Sequence, residues 1–316
     1  MLRCTAARTA AQANIVRAAT SAQSARMTLI GFTGIIAALF MSASNAWAEP
    51  TQLGSRVGDT YEITMIREFS EKNGDTSSGS SYDKDTIIER VIGVRADGLE
   101  LEYDLPKSST ADERGSNWQL PARVFRQFRG PAQLVNVAEL EARLEAWLKA
   151  AKWPRTVCGH WIFTWNAFRI ECDPQSVIKT VDAFDLRSAD LREGAPYQEP
   201  GILGLGTLAK KAAGPNGEVF TVEMSVDPDA VRRASADSDV VIGELLKKPV
   251  TLEVALRERA KETISGRISV AYYTDSVGSV RRRTKVTNLE TKWPDGRSET
   301  MTVTETLERR LISRRD

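Results

Sequence analysis

The sequence predicts an α+β fold: antiparallel β-meanders at both ends of the mature chain, with helices packed on one face. A curved half-barrel is among the arrangements that satisfy this pattern. Two observations predict it. Period-two alternation followed by an X-Asp-Gly turn occurs near each end, and helical periodicity fills the middle.

Residues 1–48 contain four arginines (Arg3, Arg8, Arg17, Arg26) and no Asp or Glu. An apolar run over residues 28–41 is followed by small residues ending in Ala46-Trp47-Ala48. This is the order of a cleavable signal peptide, with cleavage expected between Ala48 and Glu49. The apolar run is shorter than the ~20 residues a spanning helix requires. The expectation is a Sec-type route to the periplasm or beyond, with no stable membrane span after removal.

One α+β domain is then expected over 49–316. It divides into an N-terminal meander (58–105), a helical segment with a disulfide hairpin (106–200), a linker with helices (201–265) and a C-terminal meander (266–312). Tyr61, Ile63, Met65 and Phe69 alternate with Glu62, Thr64 and Glu68 in a first strand. A polar loop over 71–81, a strand over 86–95, the turn Ala96-Asp97-Gly98 and a strand over 99–105 complete the first meander. Residues 121–128 read as a short helix carrying Val124, Phe125 and Phe128. The strongest helix spans 137–152, with Leu140, Leu144, Trp147, Leu148 and Ala151 on one stripe. Residues 158–172 read as a hairpin turning near Trp165-Asn166. Asp173-Pro174 and Asp227-Pro228 each read as an N-cap followed by proline, and Thr251 caps a further helix. Residues 197–217, rich in Gly and Pro, read as a linker. Strands over 266–274, 280–293 and the C-terminal residues repeat the opening plan around turns at 275–278 and 294–296. In the last strand Met301, Val303, Leu307 and Leu311 share a face.

Composition narrows the chemistry. The chain carries 43 Lys+Arg against 42 Asp+Glu and one histidine. Without the presequence arginines, 39 basic residues face 42 acidic ones, a balance of −3. That is too near neutral to imply nucleic acid as a partner. Cys158 and Cys172, the two cysteines after residue 48, are expected to form one disulfide in an oxidising compartment. A metal site on Cys158, His160 and Cys172 lacks a well-placed fourth ligand, so no metal and no cofactor are expected.

His160 reads as a satisfied hairpin residue, because no serine or carboxylate pattern accompanies it. Asp75 and Asp275 lie in turn sequences without the apolar shoulders an aspartic dyad needs. Residues 201–206 do not fit a dinucleotide loop. An enzyme is therefore not expected. Arg281, Arg283 and Lys285 share one face of a strand and offer an anchor for acidic groups. Arg114, Arg123, Arg126 and Arg129 form a looser basic cluster. Trp147, Trp153, Trp161 and Trp165 concentrate around the hairpin with Phe163, and a hairpin this aromatic implies an apolar groove or partner surface. In outline, such an exported sheet is similar to the periplasmic lipoprotein-carrier fold, which holds acyl chains in its concavity; the likeness rests on the β-rich ends.

These residues point to an exported, non-enzymatic cell-envelope protein that binds an apolar or amphipathic ligand through Trp161, Phe163, Trp165, Arg281 and Arg283. The alternative is a module that contacts another envelope protein through a sheet edge.

Overall fold

The computed structural model describes residues 55–74, 77–128, 130–163, 167–186, 191–214 and 217–314. The expected signal peptide with Ala48 and Glu49, together with Asp75, Arg129, Trp165 and the Phe163 side chain, lies outside the described residues.

The described chain begins with β1 (Thr60–Asn73), β2 (Ser77–Arg95), β3 (Gly98–Asp104), α1 (Ala111–Ser116), β4 (Ala122–Gln127), β5 (Ala132–Leu134) and α2 (Val137–Ala150). Next come β6 (Trp161–Phe163), β7 (Ala167–Arg169), α3 (Ser176–Asp182), β8 (Pro196–Tyr197), β9 (Gly206–Thr207), β10 (Ala209–Gly214) and β11 (Gly217–Ser225). It closes with α4 (Pro228–Leu245), α5 (Leu252–Arg259), β12 (Thr263–Thr274), β13 (Val280–Lys292) and β14 (Ser298–Ser313).

Ten strands form one open antiparallel sheet in the order β10-β11-β12-β13-β14-β1-β2-β3-β4-β5. The expected meanders are its six central strands, β1-β2-β3 and β12-β13-β14, joined where β14 pairs with β1 from Thr60↔Ser313 to Asn73↔Glu299, and β4-β5 and β10-β11 extend them outward. The first and last strands of the described chain thus lie side by side inside the sheet.

Cross-strand partners share a face, so the register identifies what each face carries. The row Tyr103, Glu89, Tyr61, Leu311 continues in parity with the row Leu307, Arg283, Tyr272, Phe220. Over the N-terminal half of this face, Ile63, Val91, Leu101 and Val124 pack with Leu140, Leu144 and Leu148 of α2 and Val177 and Val181 of α3. Over the C-terminal half, Phe220, Val222, Ile268, Val270 and Tyr272 pack with Ala195, Ile202 and Leu208 from the segment leading to β10. One sheet face therefore carries two apolar clusters.

Several elements differ from expectation. Residues 121–128 form strand β4, not a helix. Val124 and Phe125 are β-favouring, and β3 offers an edge that pairs them from Gly98↔Gln127 to Tyr103↔Ala122. Val124 enters the core while Phe125 packs on the opposite face beneath Arg95, 4.7 Å from ring centroid to guanidinium. Residues 197–217 are not a linker, since β8, β9 and β10 lie there and close the second cluster. The polar loop expected over 71–81 is mostly strand. β14 templates β1 as far as Asn73, and β1 in turn templates β2 from Ser77. Helix α3 starts two residues later than expected, with the Asp173 carboxylate accepting from Gln175 N at 2.9 Å ahead of it. Asp227 and Thr251 cap α4 and α5 as read, accepting from Asp229 N and Val254 N.

Candidate functional site

β3 pairs with β2 only as far as Asp104↔Ile88. Two residues on, Pro106 has no N–H to continue the ladder. Arg114 occupies the vacated carbonyls, its Nη2 donating to Leu105 O at 3.2 Å and Pro106 O at 2.5 Å, while Nη1 pairs with Asp104 at 3.2 Å. Arg114 is held on α1, whose start is fixed by a capping box between Thr110 and Glu113. Because β3 turns away here, a cleft of about 600 Å³ opens against the N-terminal part of β2.

Trp118 and Trp147 give the cleft its aromatic lining, with Leu105 and Ile170 beside them. Trp118 is buried. The loop that carries it is fixed by Asn117, whose Oδ1 accepts from Gln119 N and Leu120 N, and by Gln119, which bonds Ser176 and Thr180 of α3. Trp147, half-buried on α2, meets Trp153 edge-on at 5.4 Å. The opposite wall is Arg169, Ile170 and Glu171, the outgoing arm of the hairpin.

That arm is tied down covalently. Cys158 and Cys172 form a disulfide with Cα atoms 5.5 Å apart. The register Trp161↔Arg169, Ile162↔Phe168, Phe163↔Ala167 extends to place the two cysteines opposite each other, as the sequence implied. Gly159 N donates to Ile170 O at 2.8 Å and Ile170 N to His160 O at 3.0 Å. His160 is exposed on the hairpin. Among the described residues, no group of three His, Cys, Asp or Glu is placed to hold a metal ion.

Of the aromatics singled out from the sequence, Trp147 lines the cleft, whereas Trp161 stands half-buried on β6, which contacts α4. The basic clusters are engaged inside the chain. Arg281 donates to Asp275 at 2.7 Å, Arg123 pairs with Glu139, and Arg126 pairs with Asp182 at 2.7 Å and Asp185 at 3.0 Å. Asp275 is a turn residue that also accepts from Val277 N and Ser279 N.

Arg283 and Lys285 enter a buried network that the sequence did not disclose. Both pair with Glu199, Lys285 at 3.0 Å, and Glu199 also accepts from Tyr197 OH. Tyr197 OH lies 2.9 Å from Tyr272 OH. Burial alone raises the Glu199 pKa, but the adjacent Arg283 and Lys285 charges outweigh it and hold the carboxylate below its ordinary value. Burial pushes the Tyr197 phenol well above the usual tyrosine range. Lys285 in turn stands opposite Glu305, which pairs with Arg67 at 3.0 Å. An ionic row thus crosses the covered face from β13 to β1.

Among the described residues, no helix is long and apolar enough to cross a membrane. No family model matches the sequence, and no curated protein matches it. Among solved structures the chain is similar to one described as lipid-protein interactions in lipovitellin, with TM-score 0.38 and 8% identity over 83% of this chain. It spans about a quarter of that chain, 26%. It is also similar to Ail, the attachment invasion locus protein of Yersinia pestis, with TM-score 0.16 and 5% identity over 80% of this chain and 99% of that one. The outer membrane protein opdK from Pseudomonas aeruginosa follows with TM-score 0.19 and 8% identity, over 79% and 99%. Scores this low carry no argument about function.

Proposed function

We propose that this chain is a non-enzymatic binding module of the cell envelope, exported by its signal peptide, whose apolar or amphipathic ligand enters the cleft beside the disulfide hairpin. One observation carries the reading: an open, aromatic-lined cleft whose walls are fixed by a disulfide, a capping box and buried leucines. Clefts of a few hundred Å³ with convergent aromatic and polar groups are the usual places for ligands. The mixed lining, Trp118, Trp147 and Leu105 beside Lys84, Asp85, Arg169 and Glu171, suits a ligand with both apolar and polar parts. Arg281 and Arg283 are less suited to hold an acidic group than the sequence suggested, because each already has a carboxylate partner.

Titration with sodium dodecanoate below its micellar concentration, followed by tryptophan emission, tests the cleft. A saturable change that disappears in Trp147→Ala supports it. An emission spectrum that dodecanoate and every other amphiphile leave unmoved contradicts it. For the non-enzymatic reading, His160→Ala is expected to leave the phenotype of a rescued deletion strain intact.

A further inference from the structure

Lys84, Asp85 and Thr86 are consecutive in β2, and all three line the cleft. Side chains alternate between the faces of a strand, so three in a row border one cavity only where the cavity abuts the strand's edge. β2 is 19 residues long and β3 only seven. Over the eleven residues 77–87 the ladder of β2 runs to β1 alone, and β3 pairs with none of this stretch. At ~3.3 Å per residue this edge is about 36 Å long.

The direction of its amides follows from one anchor. Val91 N donates to Asp59 O at 2.9 Å and Val91 O accepts from Gly58 N at 2.8 Å, so Val91 faces the β1 side. Alternation without a register break back to Ser77 then turns the odd-numbered residues toward β1. The N–H and C=O groups of Tyr82, Lys84 and Thr86 point to the open edge, and those of Lys84 and Thr86 do so at the cleft.

We propose that the cleft receives an extended polypeptide segment of another protein, its backbone adding as a strand along β2 and one large apolar side chain lodging against Trp118 and Trp147. The inference rests on the cleft being the ligand site and names the ligand's class. A row of peptide groups at a fixed repeat is complementary to another peptide backbone, whereas an acyl chain can satisfy none of them. The lining also carries charges of both signs, Lys84 and Arg169 beside Glu113 and Glu171, which suits a polypeptide with charged side chains better than an acyl chain.

The test titrates the chain from residue 49 onward with the acetylated peptide Thr-Lys-Val-Thr-Trp-Thr-Val-Lys-Thr, read by amide hydrogen exchange and tryptophan emission. The comparison ligands are the same peptide N-methylated at alternate residues in both phases, its Trp→Ala form, and sodium dodecanoate. The expected result is binding that slows exchange at Tyr82, Lys84 and Thr86. One N-methylated phase and the Trp→Ala peptide are each expected to bind at least tenfold more weakly. Lys84→Pro removes an edge amide without touching the β1 ladder and is expected to weaken binding at least tenfold at unchanged circular dichroism. If that variant does not fold, the N-methylated peptides decide alone. Equal binding of the methylated and unmethylated peptides overturns strand addition. Binding of dodecanoate without the peptide overturns this inference and leaves the cleft a ligand site, while no response to either ligand removes both readings. Protection of the same amides by self-association, without peptide, assigns the edge to a second copy and also overturns the proposal.

Discussion

Glu199 shows most clearly how one residue joins distant parts of the chain. It lies between β8 and β9, yet its carboxylate pairs with both Arg283 and Lys285 on β13. Removing it leaves two cations buried with no carboxylate, the costly way to break an internal ion pair. Glu199→Gln is expected to lower stability by about 3–5 kcal/mol in urea denaturation at pH 7. The pH dependence has a definite sign. A carboxylate whose folded-state pKa is lowered contributes stability above its unfolded value, near 4.3, and loses it as pH falls through the folded value. The gap between wild type and Glu199→Gln is therefore expected to narrow between pH 5 and the acid limit of folding. A gap constant over that range contradicts the assignment. Gly217 makes a second residue-scale case. Its φ is +123°, and a Cβ there would collide with Thr274 O, so Gly217→Ala is expected to lower the melting temperature by several degrees.

At the scale of elements, the disulfide hairpin was legible and the cleft beside it was not. Two cysteines after residue 48 and the strand-like residues between them were enough to pair Cys158 with Cys172. The helix over 137–150 was equally plain, because Leu140, Leu144 and Leu148 recur at its period. The cleft depends on a length mismatch between β2 and β3. Pro106 announced the end of β3, but serines and glycine masked the first half of β2 as a loop. Strand β4 was hidden for a related reason, since it buries Val124 on one face and Phe125 on the other and so lacks clean alternation. The disulfide closes a 15-residue loop from Cys158 to Cys172. Reducing it is expected to cost about 3 kcal/mol on the chain-entropy model, measured by denaturation with and without dithiothreitol. Because Cys172 follows the Glu171 wall, reduction is also expected to weaken ligand binding at the cleft. Unchanged binding in the reduced protein would separate the hairpin from the site.

For the whole molecule, the arrangement follows from the β1–β14 seam. In sheet order the strands run from β10 to β14 and then from β1 to β5, a single meander whose two blocks are exchanged in sequence. Each of the longest strand pairings at the seam joins residues more than 200 apart, for example Phe69↔Val303. Non-local pairing of this kind slows folding. A circular permutant that links residue 314 to residue 55 and opens the chain between Leu186 and Leu191 makes sheet order and chain order coincide. It is expected to fold to the same sheet and to refold faster than the natural order. The seam is also where the ionic row crosses from Lys285 through Glu305 on β14 to Arg67 on β1.

The most direct test of the central claim, that the cleft is bordered by an unpaired strand edge, is residue-resolved amide exchange of the free protein along β2. The account predicts alternation over residues 82–87, with Asp83, Asp85 and Ile87 protected by β1 and Tyr82, Lys84 and Thr86 exchanging at least tenfold faster. Uniform protection of all six amides would show that the edge is already paired and would contradict it.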